Sequence, residues 1–474
     1  MADLAWVKDH LRPFTAKRIL IIIVIGLAVR LLLAPWTSWT NDVYAFYDGE
    51  MGILAGIGPY GNAVYTYPPL FAVLAYPFVL LATLFQDPSA FILFQPTMVD
   101  MASSTGMLTP YVTSPEFNLA IKMPMILADL AMAFVLYHFV AKRKGDNAGF
   151  AVLVLWFLNP LVIVTGSVQG QFDVIPALLA VVGLISFIEK RYLVSGAVFG
   201  LGVLFKLFPV YLIIPLAIVL IVQLIRDKEE LRERAMPFLA FVIGGAASLV
   251  TLLPFVLQSG VIMDYILRRG SYTGYGGLNI WFLFPGISSD NVRVDGVQSV
   301  STLIPTLVLV AVIVISALLG LLTYRSLRST PDDRERLLVR MAVLVLAVVL
   351  LAGTVTNPQY LVWLFPLLLL LGIWDGRMER KMSVLTIIGL LYLFSLLSMF
   401  ALYYPLASFT DVVSITDTNV LVQNYLNGGG IITRQWMQTF MGGVGMIVLA
   451  TLLVGSEKDL LDKAWQRFRG WVRA

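Results

Sequence analysis

The sequence has 474 residues, of which 59% are hydrophobic and only 13% are charged, and its mean hydropathy is +0.85. Soluble globular proteins carry about 25% charged residues, and single soluble cores stop growing near about 250–300 residues. A soluble enzyme and a disordered chain are therefore excluded. With no Cys and two His, a disulfide framework, thiolate chemistry and a multi-histidine metal cage are excluded as well.

Apolar segments long enough to cross about 30 Å of lipid recur along the whole chain. A further apolar stretch at 68–98 is either re-entrant or two short spans, so the sequence predicts an all-α polytopic membrane protein with about 12 or 14 crossings. The predicted spans are 19–36, 119–140, 148–165, 173–188, 192–207, 209–225, 236–257, 303–324, 338–356, 360–374, 382–402 and 435–454.

Basic residues set the predicted orientation. Seven clusters hold 26 of the 33 Lys and Arg residues, and such clusters accumulate on the cytoplasmic side. This pattern accounts for the net charge of +4 better than nucleic-acid binding does, and it predicts cytoplasmic termini. The clusters lie at 8–18, 142–144, 190–191, 226–234, 325–340, 377–381 and 458–473.

The polar and aromatic segments then share the extracytoplasmic face, where we expect the site. We predict one transmembrane domain over 1–457, followed by a cytoplasmic, amphipathic interfacial helix over 458–474. The alternative for this tail is a generic membrane-surface segment. The extracytoplasmic segments are 37–67, 99–118, 166–173, 206–209, 258–302, 356–359 and 403–434.

Three acids, Asp42, Asp48 and Glu50, lie close together in the first outer segment among aromatic residues. In a helix, Asp42 and Asp48 would be about 120° apart around the axis. Asp42 alone could then face a reacting centre, with Asp48 as a supporting acid. A partly desolvated carboxylate suits a general base. The alternative is that these acids only solvate an exposed loop.

Seven basic residues fall outside the cytoplasmic clusters. Charge at membrane depth is costly and usually has a partner or a function, and Lys and Arg bind phosphate oxygens by charge-assisted hydrogen bonds. The alternative is that these side chains snorkel to ordinary phospholipid. The candidates for binding a lipid phosphate are Arg30, Lys122, Lys206, Arg268 and Arg269.

Amides, acids and aromatic rings in the outer segments are suited to pairing with sugar hydroxyls and stacking on sugar faces. Several of them lie in Gly- or Pro-containing stretches, which a plain turn explains equally well. The candidates for binding the sugar or the acceptor are Tyr44, Tyr67, Gln169, Gln171, Asp173, Asn357, Gln359 and Tyr360.

Taken in chain order, these motifs resemble the GT-C superfamily of integral-membrane glycosyltransferases. The likeness is to the glycosylphosphatidylinositol (GPI) mannosyltransferase I group and to bacterial polyprenyl-phosphate-mannose-dependent enzymes. The motifs are Asp42, Phe46-x-Asp48, Gly58-Pro59-Tyr60, Tyr65-x-Tyr67-Pro68-Pro69, Lys122 with Asp129, Trp156-x-x-Asn159-Pro160, Gly170-Gln171-x-Asp173, Phe205-Lys206-x-x-Pro209, and Asn357-Pro358-Gln359-Tyr360-x-x-Trp363.

The resemblance implies a GT-C-like bundle with short helices in the outer loops. It implies transfer of a sugar, mannose by likeness, from a polyprenyl- or dolichyl-phosphate donor to a hydroxyl of a glycolipid or glycan. The transfer would invert the anomeric centre on the extracytoplasmic side, with Asp42 as base. The related Asp-x-Asp pattern has Thr40 at its earlier position here, which leaves a divalent metal without support.

Two alternatives remain from the sequence. A secondary transporter or lipid flippase would also be polytopic with a few buried charges, but transporters often carry internal repeats, and this sequence shows no convincing repeat. A noncatalytic subunit of a glycosylation complex could keep the same fold. The acid-rich first outer segment favours the enzyme over that subunit.

Overall fold

The computed structural model describes residues 13–61, 64–96, 109–226, 230–258, 260, 276–278, 298–326, 331–353, 355–395, 400–427 and 430–455. Helices dominate these residues, and the predicted all-α polytopic membrane fold is confirmed. The helices are α1 Pro13–Leu33, α2 Thr40–Leu54, α3 Leu70–Ala82, α4 Pro115–Lys144, α5 Asp146–Phe157, α6 Pro160–Ile163, α7 Val174–Ile188, α8 Tyr192–Phe205, α9 Val210–Arg226, α10 Leu231–Ser248, α11 Gln298–Ser326, α12 Pro331–Ala352, α13 Leu361–Leu371, α14 Arg377–Ser395, α15 Phe400–Phe409, α16 Ile415–Asn427 and α17 Gly430–Gly455.

Three helical stretches of the described chain are long and apolar enough to cross a membrane: Pro115–Lys144, Leu231–Gln258 and Thr306–Tyr324. A fourth crossing results if α5 and the adjoining segment Pro160–Gln169, bent by 45°, form one span. This number is below the 12 or 14 crossings predicted. Six shorter apolar helices of the described chain have 10–17 residues, whereas about 20 are needed to cross the hydrocarbon core.

The described part of the stretch 68–98, residues 68–96, does not contain two spans. Its described part contains α3, which is about 20 Å long, and the short strand β1, Ile92–Phe94. Strand β1 pairs antiparallel with β2, Tyr111–Thr113. A second, parallel pair joins β3, Gly276–Gly277, to β4, Val355–Thr356. The sequence patterns predicted neither pair, because strands of two or three residues leave no alternation to detect.

The two ends of the long helix α4 lie in different surroundings. At its C-terminal end, Arg143 forms two hydrogen bonds of 2.6 and 3.0 Å with Glu335, which joins two of the basic clusters. About 30 Å along the helix, Lys122 is enclosed by the backbone oxygens of Ala34, Thr37 and Val168. Two of the basic clusters therefore lie at one end of this helix, and the segments that begin at 37 and 166 lie at the other. The tail 458–474 lies outside the described residues.

Glycines bring α8 and α10 into very close contact. A Cβ atom added at Gly196 would lie 1.9 Å from the carbonyl oxygen of Phe241, and one added at Gly244 would lie 2.0 Å from that of Leu193. Small residues let two helix backbones approach in this way, and in lipid the resulting van der Waals packing stabilises the helix pair.

Replacing Gly196 with Ala should lower the free energy of unfolding by roughly 1–3 kcal/mol, because the new methyl group would force the helices apart. Thermal unfolding of the detergent-solubilised protein measures the change. Gly245→Ala is the matched control, since its Cβ would lie 3.7 Å from the nearest atom. Equal stability of the two variants would show that the helices are not in this close contact.

Candidate active site

Asp42 lies in the first turn of α2, where the helix dipole favours a carboxylate. Its two oxygens accept different hydrogen bonds. The Tyr67 hydroxyl donates to Oδ1 over 2.7 Å, and the Gln171 side-chain amide donates to Oδ2. Each carboxylate oxygen has a second acceptor position. Asp42 is half-buried, so it is held in place and can still accept a proton.

Aromatic packing fixes the Tyr67 hydroxyl at Asp42. The Tyr67 ring centroid lies 5.3 Å from that of Phe46 and 5.3 Å from that of Phe172. The backbone oxygen of Tyr67 accepts a 2.8 Å hydrogen bond from the Tyr60 hydroxyl. The aromatic residues of the first outer segment thus position a donor for the carboxylate.

Gln171 reaches Asp42 because the chain bends after α5. The Asn159 side chain caps α6, because its oxygen accepts hydrogen bonds from the backbone amides of Leu161 and Val162 at 2.9 and 3.2 Å. A π-helical turn, Val164–Gln169, follows and ends at Gly170. Gly170 has φ +79°, a conformation that costs glycine little, and it turns the chain so that Gln171 points at Asp42.

A cation lies beside this carboxylate site. The Lys206 ammonium is 2.8 Å from Asp173 Oδ1, and the same oxygen accepts a 2.7 Å hydrogen bond from the Trp363 indole. The Lys206 side chain is 15% exposed, so it remains reachable.

Aromatic faces surround that ammonium group. Lys206 Nζ lies 5.4, 5.1 and 5.7 Å from the ring centroids of Phe172, Tyr360 and Trp363, within the range of cation–π attraction. The Trp363 ring stacks between Tyr360 at 4.3 Å and Phe208 at 4.2 Å. Lys206 is therefore a positive charge held in a fixed place.

The other predicted phosphate ligands have different surroundings. Arg30 is fully buried and forms a 3.2 Å ion pair with Asp129. It also donates to the backbone oxygens of Gly26 and Phe157. Lys122 is fully buried among backbone oxygens. Neither group faces a place where lipid phosphate could reach it. Arg268 and Arg269 lie outside the described residues.

The remaining predicted residues divide between the site and its surroundings. Tyr44 follows Asp42 by two residues, which places it on the far side of α2, where it stacks on Tyr111 with centroids 4.8 Å apart. Asp48 accepts the Val64 amide at 3.3 Å. Gln169 is buried next to the site, and its Oε1 has no hydrogen-bond partner in the described chain.

The turn before α13 supplies Tyr360 to the aromatic group around Lys206. Asn357 and Gln359 are half-buried in the same turn, and the Asn357 carbonyl accepts the Tyr360 amide at 2.9 Å. Sequence reasoning left two contact residues out of the predicted site, Phe172 and Trp363. Their positions were the available signal, since Phe172 lies between Gln171 and Asp173 and Trp363 ends the last motif.

The sequence matches the family described as "GPI transamidase subunit PIG-U" over residues 17–269, more than half of the chain. The chain belongs to the PIG-U family. The matched region carries Asp42, Gln171 and Lys206, whereas Trp363 comes from the part of this PIG-U family member that follows it.

Curated relatives carry a different description. "GPI mannosyltransferase 1" of Dictyostelium discoideum is 23% identical over 209 residues, covering 41% of this chain and 39% of that protein. The protein of the same name from Saccharomyces cerevisiae is 24% identical over 177 residues, covering 37% and 35%. "GPI alpha-1,4-mannosyltransferase I, catalytic subunit" of Danio rerio is 24% identical over 213 residues, covering 44% and 45%. The chain thus spans less than half the length of each of these relatives.

Glu50 is a third acid on α2 and differs from Asp42 and Asp48. It is fully buried, and neither of its carboxylate oxygens has a hydrogen-bond partner in the described part of the chain. Burial raises the pKa of the Glu50 carboxyl to about 9, from an ordinary value of 4.5. The side chain is therefore a neutral carboxylic acid at pH 7.

Glu50 should make this PIG-U family member less stable as pH rises. Between pH 4.5 and about 9, the unfolded chain loses the Glu50 proton while the folded chain keeps it, so the free energy of unfolding falls. Glu50→Gln removes this pH-dependent fall in the free energy of unfolding, because Gln does not titrate. Its thermal midpoint should therefore rise relative to the parent as pH increases from 5 to 9.

Thermal unfolding of both proteins over that pH range measures the difference. Glu116→Gln, which changes a solvent-exposed carboxyl at the start of α4, controls for the substitution itself. Parallel curves for the parent and Glu50→Gln at every pH would contradict the buried, neutral state of Glu50.

Proposed function

We propose that this PIG-U family member is an inverting glycosyltransferase that moves mannose from a polyprenyl- or dolichyl-phosphate donor to a hydroxyl of a glycolipid on the extracytoplasmic side. The names of the curated relatives support mannosyl transfer and a glycolipid acceptor. The contacts around Asp42 and Lys206 support the donor and the mechanism.

One observation carries the proposal: a three-residue segment joins a carboxylate site to a cation site. Gln171 donates to Asp42, Asp173 pairs with Lys206, and Phe172 lies between them. The Cα atoms of the first and last of these residues can be at most about 7 Å apart. A sugar phosphate between Asp42 and Lys206 would thus have a proton acceptor on one side and a positive charge on the other.

The reaction follows from these two groups. The acceptor hydroxyl oxygen forms a bond to the anomeric carbon, while the bond from that carbon to the phosphate oxygen breaks. Asp42 takes the hydroxyl proton as general base. The departing phosphate oxygen keeps the electron pair, and the Lys206 ammonium offsets the added negative charge. A single displacement inverts the anomeric carbon.

Donor chemistry agrees with the position of the site in the chain. The hydrocarbon tail of a polyprenyl phosphate partitions into the bilayer and leaves its sugar phosphate at the membrane surface. The site is built from three segments of the sequence, none of which belongs to a basic cluster. They are the first outer segment, the bend after α5 and the turn before α13. Phosphate leaves with the lipid, so this transfer needs no nucleotide.

A second candidate is a subunit of an assembly that acts on GPI-linked material without transferring sugar itself. The description of the family, a GPI transamidase subunit, favours it. Such a subunit would not need the Asp42 carboxylate for chemistry. Substitution of Asp42 therefore separates the two candidates.

Asp42→Asn should lower mannosyl transfer by about 100-fold or more, because general-base catalysis contributes about 10²–10⁴ in rate. Asn keeps the size of the side chain and can still accept the Tyr67 hydrogen bond, so we expect the protein to stay folded. The purified protein is incubated with synthetic polyprenyl-phosphate mannose and a glycolipid acceptor. The amount of polyprenyl phosphate released over time gives the rate.

Asp411→Asn, an exposed position far along the chain, is the matched control and should transfer at the parent rate. Normal turnover by Asp42→Asn would eliminate Asp42 as the base. No transfer by the parent with mannosyl, glucosyl and arabinosyl donors would favour the subunit role.

Lys206→Ala should raise KM for the donor by about 10–100-fold, since hydrogen bonds to charged groups contribute about 1.5–3 kcal/mol. Initial rates over a range of donor concentrations give KM and kcat separately. Lys144→Ala, which removes an exposed ammonium at the C-terminal end of α4, should leave KM unchanged. Unchanged donor kinetics in Lys206→Ala would remove Lys206 from the phosphate site.

A further inference from the structure

Lys122 is a fully buried cation whose hydrogen bonds all go to neutral acceptors. Its ammonium donates to the backbone oxygens of Ala34 at 2.9 Å and Val168 at 3.1 Å. It also contacts the hydroxyl oxygen of Thr37 at 3.3 Å and the Thr37 backbone oxygen. An ammonium has three donors, so these acceptors already saturate it.

The acceptors come from two segments that are distant in the sequence. Ala34 and Thr37 follow α1 and lead into Asp42, whereas Val168 belongs to the π-helical turn that leads into Gln171. The segments also pair directly. The Trp39 amide donates to the Gln169 carbonyl at 3.0 Å. The Thr37 hydroxyl lies 2.9 Å from the Leu33 carbonyl and 3.2 Å from the Ser167 carbonyl, and its single hydrogen can be donated to either oxygen.

The stem of Lys122 also fills the space beneath the turn at Gly170. A Cβ atom added at Gly170 would lie 3.2 Å from Lys122 Cε and 3.0 Å from Val43 Cγ2. Val43 follows Asp42, and Gln171 follows Gly170. The Lys122 stem and the Val43 side chain, which follows Asp42, therefore both flank Gly170, the residue that precedes Gln171.

We propose that Lys122 is a positioning residue that clamps the first outer segment against the π-helical turn and so fixes the Gln171 amide on the Asp42 carboxylate. This role replaces the phosphate contact predicted from the sequence. Its catalytic consequence rests on the proposed function, whereas the clamp itself does not. Removal of the ammonium would leave buried carbonyl oxygens without a donor, which is costly, and the two segments would separate.

Hydrogen–deuterium exchange of Lys122→Met tests the clamp without any assay of activity. Met keeps the apolar stem and removes the charge. Peptides that cover 37–43 and 167–171 should exchange faster, while peptides from α8 and α10 stay unchanged. Lys381→Met is the matched control, because it removes an ammonium that donates to a single backbone oxygen, that of Thr451, and it should leave both peptides unchanged. Unchanged exchange in Lys122→Met would overturn the clamp.

Transfer kinetics test the link to Asp42. Lys122→Met should lower kcat by about 100-fold, the scale of a 1 Å misplacement, with donor KM unchanged. In the Gln171→Leu background, the same substitution should have little further effect, because residues that act through one interaction are not additive. Additive losses, or a raised donor KM with normal exchange, would overturn the positioning role.

The clamp and the proposed function can fail separately. Faster exchange in Lys122→Met together with no sugar transfer by the parent supports the clamp and overturns the proposed function.

If Lys122→Met does not fold, Thr37→Val provides a milder change, because it removes only a hydroxyl, which contacts Lys122, Ser167 and the Leu33 carbonyl. Thr37→Val should speed exchange in the same two peptides, and normal exchange there would overturn the clamp.

Discussion

The contact between residues 37–39 and 167–169 is the interaction on which the rest of the site depends. Two backbone segments that are about 130 residues apart in the sequence pair through the Trp39 amide, which donates to the Gln169 carbonyl, and the Thr37 hydroxyl lies 3.2 Å from the Ser167 carbonyl. Asp42 follows one segment and Gln171 follows the other. Because both segments leave helices that are fixed by packing, a small displacement at this contact would move the carboxylate and its amide partner relative to each other.

The buried cations show how a membrane interior selects partners for charge. Arg30 is neutralised by Asp129 and also donates to two backbone oxygens. Lys122 is satisfied by backbone and hydroxyl oxygens. Both solutions follow the requirement that polar groups out of reach of water find partners inside the protein. Lys206 differs, since it keeps an exposed portion next to its carboxylate.

The sequence was sufficient to predict the fold class and the convergence of Asp42, Gln171, Asp173 and Lys206. Composition indicates lipid as the surrounding solvent, and the basic loops predict which segments share a face. The ordered motifs then place these four residues on one face. Tyr44 was predicted to bind the sugar or the acceptor, but its ring stacks on Tyr111 on the side of α2 that faces away from Asp42.

The sequence could not separate Arg30 and Lys122 from Lys206, because all three are isolated cations in apolar surroundings. What distinguishes them is the position of backbone oxygens contributed by distant segments, for which side-chain patterns give no signal. Helix length was a second gap. The turn at 164–169 interrupts one apolar run, and six other apolar helices of the described chain have only 10–17 residues, so hydropathy predicts more crossings than long helices provide.

Phe172 touches both halves of the site. Its ring centroid lies 5.3 Å from that of Tyr67, which bonds to Asp42, and 5.4 Å from the Lys206 ammonium. It also stacks on Phe71 at 4.4 Å. A change in the size of this one ring would shift the proton-accepting half and the charge-binding half together. A substitution that changes sugar selectivity at one half would therefore require compensating substitutions at the other half.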